Sequence, residues 1–89
     1  MADLTPESVL AVLKQDNPTA VLSALISYRN LFVEYVTAQR NITGNGAMVA
    51  HPKTGEPITN PYIKIRDSAY DRMGKIRLKT DRLWGMYAD

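Results

Sequence analysis

The chain has no cysteine and only one histidine among its 89 residues. Without cysteine, neither a disulfide nor a thiolate zinc site can stabilise it, and one histidine excludes the usual multi-histidine metal sites. A domain of this size buries only about 60–65% of its unfolded surface, so its core alone gives marginal stability. Oligomerisation is then the remaining common route to stability. We expect one domain, without metal or cofactor.

Long apolar runs are also missing. No stretch approaches the ~20 consecutive apolar residues that a membrane-spanning helix requires. The first eight residues, MADLTPES, contain no basic region followed by an apolar core, as a signal peptide would. The sequence therefore predicts a soluble protein of the cytoplasm with no membrane partner.

The sequence also lacks an evident catalytic constellation. His51 is the only histidine that could serve as a base, and no side chain that could orient it is evident. Gly44-Asn45-Gly46 lacks the Gly-Lys-Ser/Thr ending of a phosphate-binding loop. We predict that the protein is not an enzyme.

The charges that are present are distributed unevenly. The net charge is only +2, but residues 60–89 carry seven lysines and arginines against four aspartates. Residues 1–17 carry one lysine against three acidic residues. This asymmetry indicates that the C-terminal part of the chain faces an anionic partner.

Cap signals divide the first two thirds of the chain. Thr5-Pro6 suits the start of a short helix within residues 1–17. Asn17-Pro18 repeats that signal and predicts a long apolar helix over residues 18–43, ended by Gly44 and Gly46. Residues 44–59 lose the helical period, and Pro52-Lys53-Thr54-Gly55 suits a tight turn, so this loop can form a small β-hairpin.

The stretch from Asn60 to Trp84 organises the rest of the chain. Asn60-Pro61 is a good N-cap and first-turn pair, and it predicts a long basic amphipathic helix over residues 60–85. An apolar seam lies on one face of that helix: Tyr62, Ile65, Ala69, Met73, Ile76 and Leu83. A basic ridge flanks the seam and provides the candidate DNA-binding residues: Lys64, Arg72, Lys75, Lys79 and Arg82.

The predicted fold is all-α. A short N-terminal helix precedes an antiparallel pair of long helices joined by the loop. The helix over residues 18–43 is apolar around more than half of its surface, which exceeds what one partner helix can cover. This excess favours self-association, and the alternative is a three-helix monomer that sandwiches the helix between the other two. The candidate oligomer interface consists of Leu25, Leu31, Phe32, Tyr35 and Trp84.

Three features follow one another in the chain: Leu-Phe-Val-Glu-Tyr at Leu31 to Tyr35, a glycine-containing hairpin loop, and Asn60-Pro61 leading into Ile-Lys-Ile-Arg-Asp. With them, the unit from Gly46 through Trp84 and the helix before it resemble the P27-like family of small terminase subunits of tailed bacteriophages. If the protein is viral, its compartment is the host cytoplasm. The resemblance implies a helical protomer that forms a ring, recognises double-stranded viral DNA for packaging and regulates a large terminase subunit. The small subunits of this family are not themselves nucleases.

Two functional hypotheses follow. The first is an oligomeric DNA-binding component of a packaging machine, and it depends on the apolar excess, the basic ridge and the resemblance. The second is a small helical protein-interaction module that binds a partner through its second helix or Trp84 and needs neither a ring nor DNA. Mass in solution and salt-dependent DNA binding distinguish the two.

Overall fold

A computed structural model describes residues 4–87. Within them the chain forms α1 (Pro6–Asp16), α2 (Leu22–Asn45), β1 (Met48–Ala50), β2 (Pro57–Thr59), α3 (Pro61–Met73) and α4 (Asp81–Tyr87). The chain is mostly helical, with one two-stranded antiparallel sheet. No helix within residues 4–87 is both long enough and apolar enough to cross a bilayer.

The first helix begins as its sequence predicts and then departs from the prediction at its end. Thr5 caps α1, with its hydroxyl accepting a hydrogen bond from the Ser8 N–H at 3.1 Å, and Pro6 occupies the first turn. The prediction that Asn17-Pro18 opens the second helix is wrong. Residues 18–20 form a turn, and α2 starts at Leu22 with no side-chain cap. Asn17 cannot cap α2 because its side chain is bound elsewhere, as described below.

The hairpin forms in the predicted loop. Met48 pairs with Thr59, Val49 with Ile58 and Ala50 with Pro57. The lone histidine stabilises the turn that joins the strands, because His51 Nδ1 accepts hydrogen bonds from the backbone N–H groups of Lys53 and Thr54 at 3.1 and 3.3 Å.

Asn60 connects the hairpin to both long helices. Its side-chain carbonyl caps α3 by accepting from the Tyr62 N–H at 3.0 Å. Its amide donates to Asn41 Oδ1 and to the Gly46 carbonyl, at 3.1 and 2.9 Å, near the end of α2. The side chain is 2% exposed, so these bonds satisfy a polar group that would otherwise be costly to bury.

The predicted single helix over residues 60–85 is broken. It ends at Met73, and after a connector (residues 74–80) the chain starts α4 at Asp81. Ile76 and Leu78 explain the break, because both pack against the core. Two residues apart, they would lie about 200° apart on a helix and could not face the same core. The chain instead turns at residues 74–76 and continues without regular secondary structure through residue 80.

The core lies on α2. Successive residues along α2 contact residues progressively earlier along α3: Tyr35 contacts Tyr70, Gln39 contacts Arg66, and Asn41 contacts Asn60, the N-cap of α3. This is the antiparallel pair that the sequence predicts. The N-terminal half of α2 packs against α1, and α4 returns to contact both. The chain therefore covers α2 on several sides by itself.

Candidate nucleic-acid interface

The predicted basic ridge does not lie on one helix. Lys64 and Arg72 are exposed on α3, Lys75 and Lys79 lie in the connector, and Arg82 belongs to α4. The break at residue 74 therefore corrects the predicted continuous ridge. Lys64 and Arg72 still share a side of α3, about 12 Å apart along its axis.

The connector itself presents cations at a regular spacing. Lys75, Arg77 and Lys79 are exposed, whereas Ile76 and Leu78 between them are half-buried against the core. Residues 74–76 form a turn, in which the Lys75 and Ile76 N–H groups donate to the Arg72 and Met73 carbonyls at 3.2 and 3.0 Å, and residues 77–80 have no regular secondary structure. The connector thus has an apolar inner side and a basic outer side.

Asn17 fixes the far end of the connector. Its Oδ1 accepts from the Lys79 N–H at 2.7 Å, and its Nδ2 donates to the Lys79 carbonyl at 2.9 Å. The same amide also donates to the Leu13 carbonyl at 3.0 Å, at the end of α1. These bonds hold the backbone of Lys79 in place and leave its ammonium group in solvent.

Arg77 is a residue that the sequence reasoning missed. On the wheel of a continuous helix it falls outside the basic ridge, so it was not a candidate. The signal that could have identified it is the strict alternation of Lys75-Ile76-Arg77-Leu78-Lys79, which is typical of an extended segment with one buried side.

Two of the predicted basic residues have acidic partners. Arg82 donates to both carboxylate oxygens of Asp16, at 3.0 and 3.1 Å, and to Gln15 Oε1 at 2.9 Å, so it joins α4 to α1. Lys75 meets Asp71 at 3.8 Å, but more than three quarters of each side chain is exposed. Such a surface pair contributes only about 0–1 kcal/mol, so Lys75 can exchange Asp71 for another anion.

The five candidate interface residues all belong to the interior of the single chain. Leu25, Leu31 and Phe32 are buried, and Tyr35 and Trp84 are half-buried against the same core. Other helices of the same chain therefore cover these side chains of α2, as in the alternative of a monomer that sandwiches this helix. Whether copies associate remains a prediction. An interface in this conformation would use side chains other than Phe32, which has no exposed surface.

Six aromatic side chains meet where α2, α3 and α4 converge. Phe32 lies at the centre, edge-on to Trp84 at 4.8 Å and to Tyr87 at 6.0 Å between ring centroids. Trp84 also contacts Tyr35 and Tyr70, at 5.1 and 6.4 Å. The remaining member is Tyr28, whose hydroxyl accepts the Trp84 indole N–H at 2.8 Å.

An open pocket of about 470 Å³ lies between this aromatic cluster and the connector. Tyr28, Tyr70 and Trp84 line one side, and Ile76 and Thr80 line the other. The inner side of the connector therefore borders an aromatic pocket, and the exposed cations alternate with the residues of that wall.

No family model, curated protein or solved structure matches the chain. The connector and the pocket beside it are therefore the features from which a function can be inferred.

Proposed function

We propose that the protein binds DNA through the phosphate backbone, and that the connector is the contact surface. The observation that supports this proposal is the alternation along residues 75–79, with three exposed cations on one side of a segment fixed at both ends. Lysine and arginine side chains that neutralise phosphates supply most of the sequence-independent affinity for nucleic acid.

Local charge agrees with an anionic partner. Residues 71–82 include five lysines and arginines against two aspartates. Arg72 adds an exposed cation just before the connector, and Lys64 can extend the contact along α3. Arg82 is excluded from this surface because it is bound to Asp16. The proposed contact set is therefore Arg72, Lys75, Arg77 and Lys79, with Lys64 at its edge.

The packaging role that the family resemblance implies is a further proposal. In that setting the DNA is double-stranded, copies of the chain assemble into a ring, and a large terminase subunit is the protein partner. The order of long helix, hairpin, Asn60 cap and second helix supports it. The ring would array the connectors of neighbouring copies and so multiply the phosphate contacts.

A helical protein-interaction module is the second candidate function. Val21 and Leu22, at the start of α2, are 67% and 54% exposed, and Tyr62 and Ile65 add an exposed apolar pair on α3. Adjacent exposed apolar side chains are suited to a protein partner or a second copy. This candidate predicts stable complexes that do not depend on the charges of the connector.

Salt-dependent DNA binding tests the first candidate. Titration of a labelled duplex at several salt concentrations should give log affinity falling linearly with log salt, by about 0.9 for each phosphate contact. Arg77→Ala and Lys79→Ala should each weaken binding and lower that slope by about one unit. The matched control is Lys53→Ala, an exposed lysine of the hairpin turn, which should change neither quantity.

Unchanged duplex binding by a charge-reversed connector would contradict the proposal. If the double variant Arg77→Glu with Lys79→Glu binds duplex as well as the unmodified chain at low salt, the connector is only a solvated surface. The protein-interaction candidate then becomes the better one.

A further inference from the structure

We propose that the aromatic pocket beneath the connector binds one unpaired nucleobase, so that the protein prefers single-stranded segments of DNA. This inference rests on the proposed function, because the phosphates on either side of that base would lie on the basic connector. It adds a substrate class, since phosphate contacts alone do not distinguish a single strand from a duplex.

The first observation is the high exposure of Tyr70. This residue lies on α3 with 61% of its surface exposed, although it is in contact with Tyr35 and Trp84. The core does not require a tyrosine that is so open to solvent. An exposed ring beside a partly exposed indole offers the kind of surface on which nucleobases stack, at about 1–3 kcal/mol per base.

The second observation is the volume of the pocket and the polar groups that line it. A pocket of about 470 Å³ falls within the ~300–1,000 Å³ range of small-molecule sites, so it can hold a single base. Tyr28 is buried, and within residues 4–87 its hydroxyl accepts from Trp84 and donates no hydrogen bond, so its hydrogen can be donated to a base. Thr80 and the Asp81 carboxylate also line the pocket and can accept from the amino and imino groups of a base.

The position of the pocket is the third observation. Gly74, Ile76 and Thr80 of the connector form one of its walls, and the cations that alternate with them face outward. A nucleotide with its base in the pocket would therefore leave its phosphate beside Lys75, Arg77 or Lys79. In duplex DNA the bases are stacked and paired, and only an unpaired or extruded base can enter such a pocket.

The chain contains one tryptophan, so its fluorescence reports on this pocket. The test compares three labelled probes at low salt: a 12-nucleotide thymidine strand, the same backbone with abasic sites in place of the bases, and a 12-base-pair duplex. The thymidine strand should quench Trp84 emission and bind about tenfold more tightly than the abasic strand. The duplex should bind through phosphates without quenching.

Substitutions of Tyr70 separate stacking from charge. Tyr70→Leu should weaken binding of the thymidine strand about tenfold and leave binding of the abasic strand unchanged, whereas Tyr70→Phe should restore the affinity. Tyr62→Leu is the matched control, because Tyr62 is another exposed tyrosine of α3 that lies outside the pocket. The high exposure of Tyr70 allows these variants to fold, which circular dichroism checks.

The outcomes distinguish this inference from the proposed function. Equal affinity for the thymidine and abasic strands, without quenching, overturns the base site even if Arg77→Ala and Lys79→Ala still weaken binding. In that case the phosphate-binding function stands. If no probe binds at low salt, the proposed function fails and the base site fails with it.

Discussion

A single buried asparagine determines how the hairpin meets the helices. Asn60 uses its carbonyl oxygen to cap α3 and both amide hydrogens to hold the end of α2, through Asn41 and Gly46. An N-cap needs only an acceptor, which serine, threonine or aspartate could supply. The amide is required because the two groups it faces on α2 are both acceptors.

Substitution of Asn60 tests this double role. Asn60→Ala should cost about 2 kcal/mol, because the cap and two buried hydrogen bonds are lost, and should lower Tm by roughly 10 °C. Asn60→Asp should destabilise the fold as well, although aspartate is a good cap, since its carboxylate would face the oxygens of Asn41 and Gly46. Thermal melts followed by circular dichroism measure both effects.

Acidification provides the control for Asn60→Asp. Protonation of the new carboxyl group supplies a donor toward the α2 oxygens, so this variant should gain stability relative to the unmodified chain as pH falls. If Asn60→Asp is as stable as the unmodified chain at neutral pH, the bonds to α2 contribute nothing, and Asn60 acts only as a cap.

At the scale of the elements, the end of α2 contains two glycines with opposite roles. Gly44 lies inside the helix, and a Cβ there would meet nothing within 4 Å. Gly46 follows the helix with φ 87° and ψ 174°, a conformation that is essentially restricted to glycine. Its N–H donates to the Ile42 carbonyl at 2.7 Å and closes the helix before the hairpin.

The two glycines therefore predict opposite effects of the same substitution. Gly44→Ala should stabilise the fold by up to about 1 kcal/mol, because alanine favours the helix and loses less backbone entropy. Gly46→Ala should cost about 1–3 kcal/mol through backbone strain. Urea denaturation of both variants measures the difference, and equal effects would show that the turn at residue 46 is not constrained.

At the scale of the whole molecule, one aromatic core joins three helices. Phe32 has no exposed surface and touches rings from α2 and α4. Phe32 belongs to the cluster of buried residues to which all four helices contribute, so a defect at this position affects the packing of each helix. The same residue was a candidate for the oligomer interface, which makes its substitution informative.

Phe32→Ala should destabilise the fold itself by about 3–5 kcal/mol, a large share of the roughly 4–13 kcal/mol expected for a chain of 89 residues. The melting temperature of this variant should fall by at least about 12 °C and should not depend on protein concentration. Lys53→Ala, at an exposed side chain of the hairpin turn, is the control and should leave the melting temperature nearly unchanged. Light scattering gives the mass of each variant.

A different result would assign Phe32 to an interface. In that case the variant would stay folded at high concentration, its melting temperature would depend on concentration, and its mass would fall to that of one chain. Self-association of the unmodified chain is a separate expectation. The exposed apolar residues Tyr62 and Ile65 are then the first positions to substitute.

Local signals in the sequence determined where several elements begin and end. Thr5-Pro6 and Asn60-Pro61 start helices as predicted, because each acceptor bonds an N–H of the first turn, whereas the side chain of Asn17 is bound to Lys79 and Asn17-Pro18 starts no helix. Gly46 ends α2, and Pro52 to Gly55 form the turn of the hairpin. These features depend on residues within a few positions of one another, so the sequence was sufficient to find them.

Only the tertiary structure decided the two features on which the proposed function depends. Residues 74–80 have an acceptable helical pattern, and they leave the helix because Ile76 and Leu78 both pack on the core while Asn17, more than 60 positions earlier, binds the backbone of Lys79. The same break returns α4 to α2 and assembles the aromatic pocket beside the connector. Contacts between distant residues outweigh local helical preference here. Full burial of an apolar side chain contributes about 1.5–3 kcal/mol, the half-burial of Ile76 and Leu78 together is of that order, and helix propensities differ by less than about 1 kcal/mol per residue.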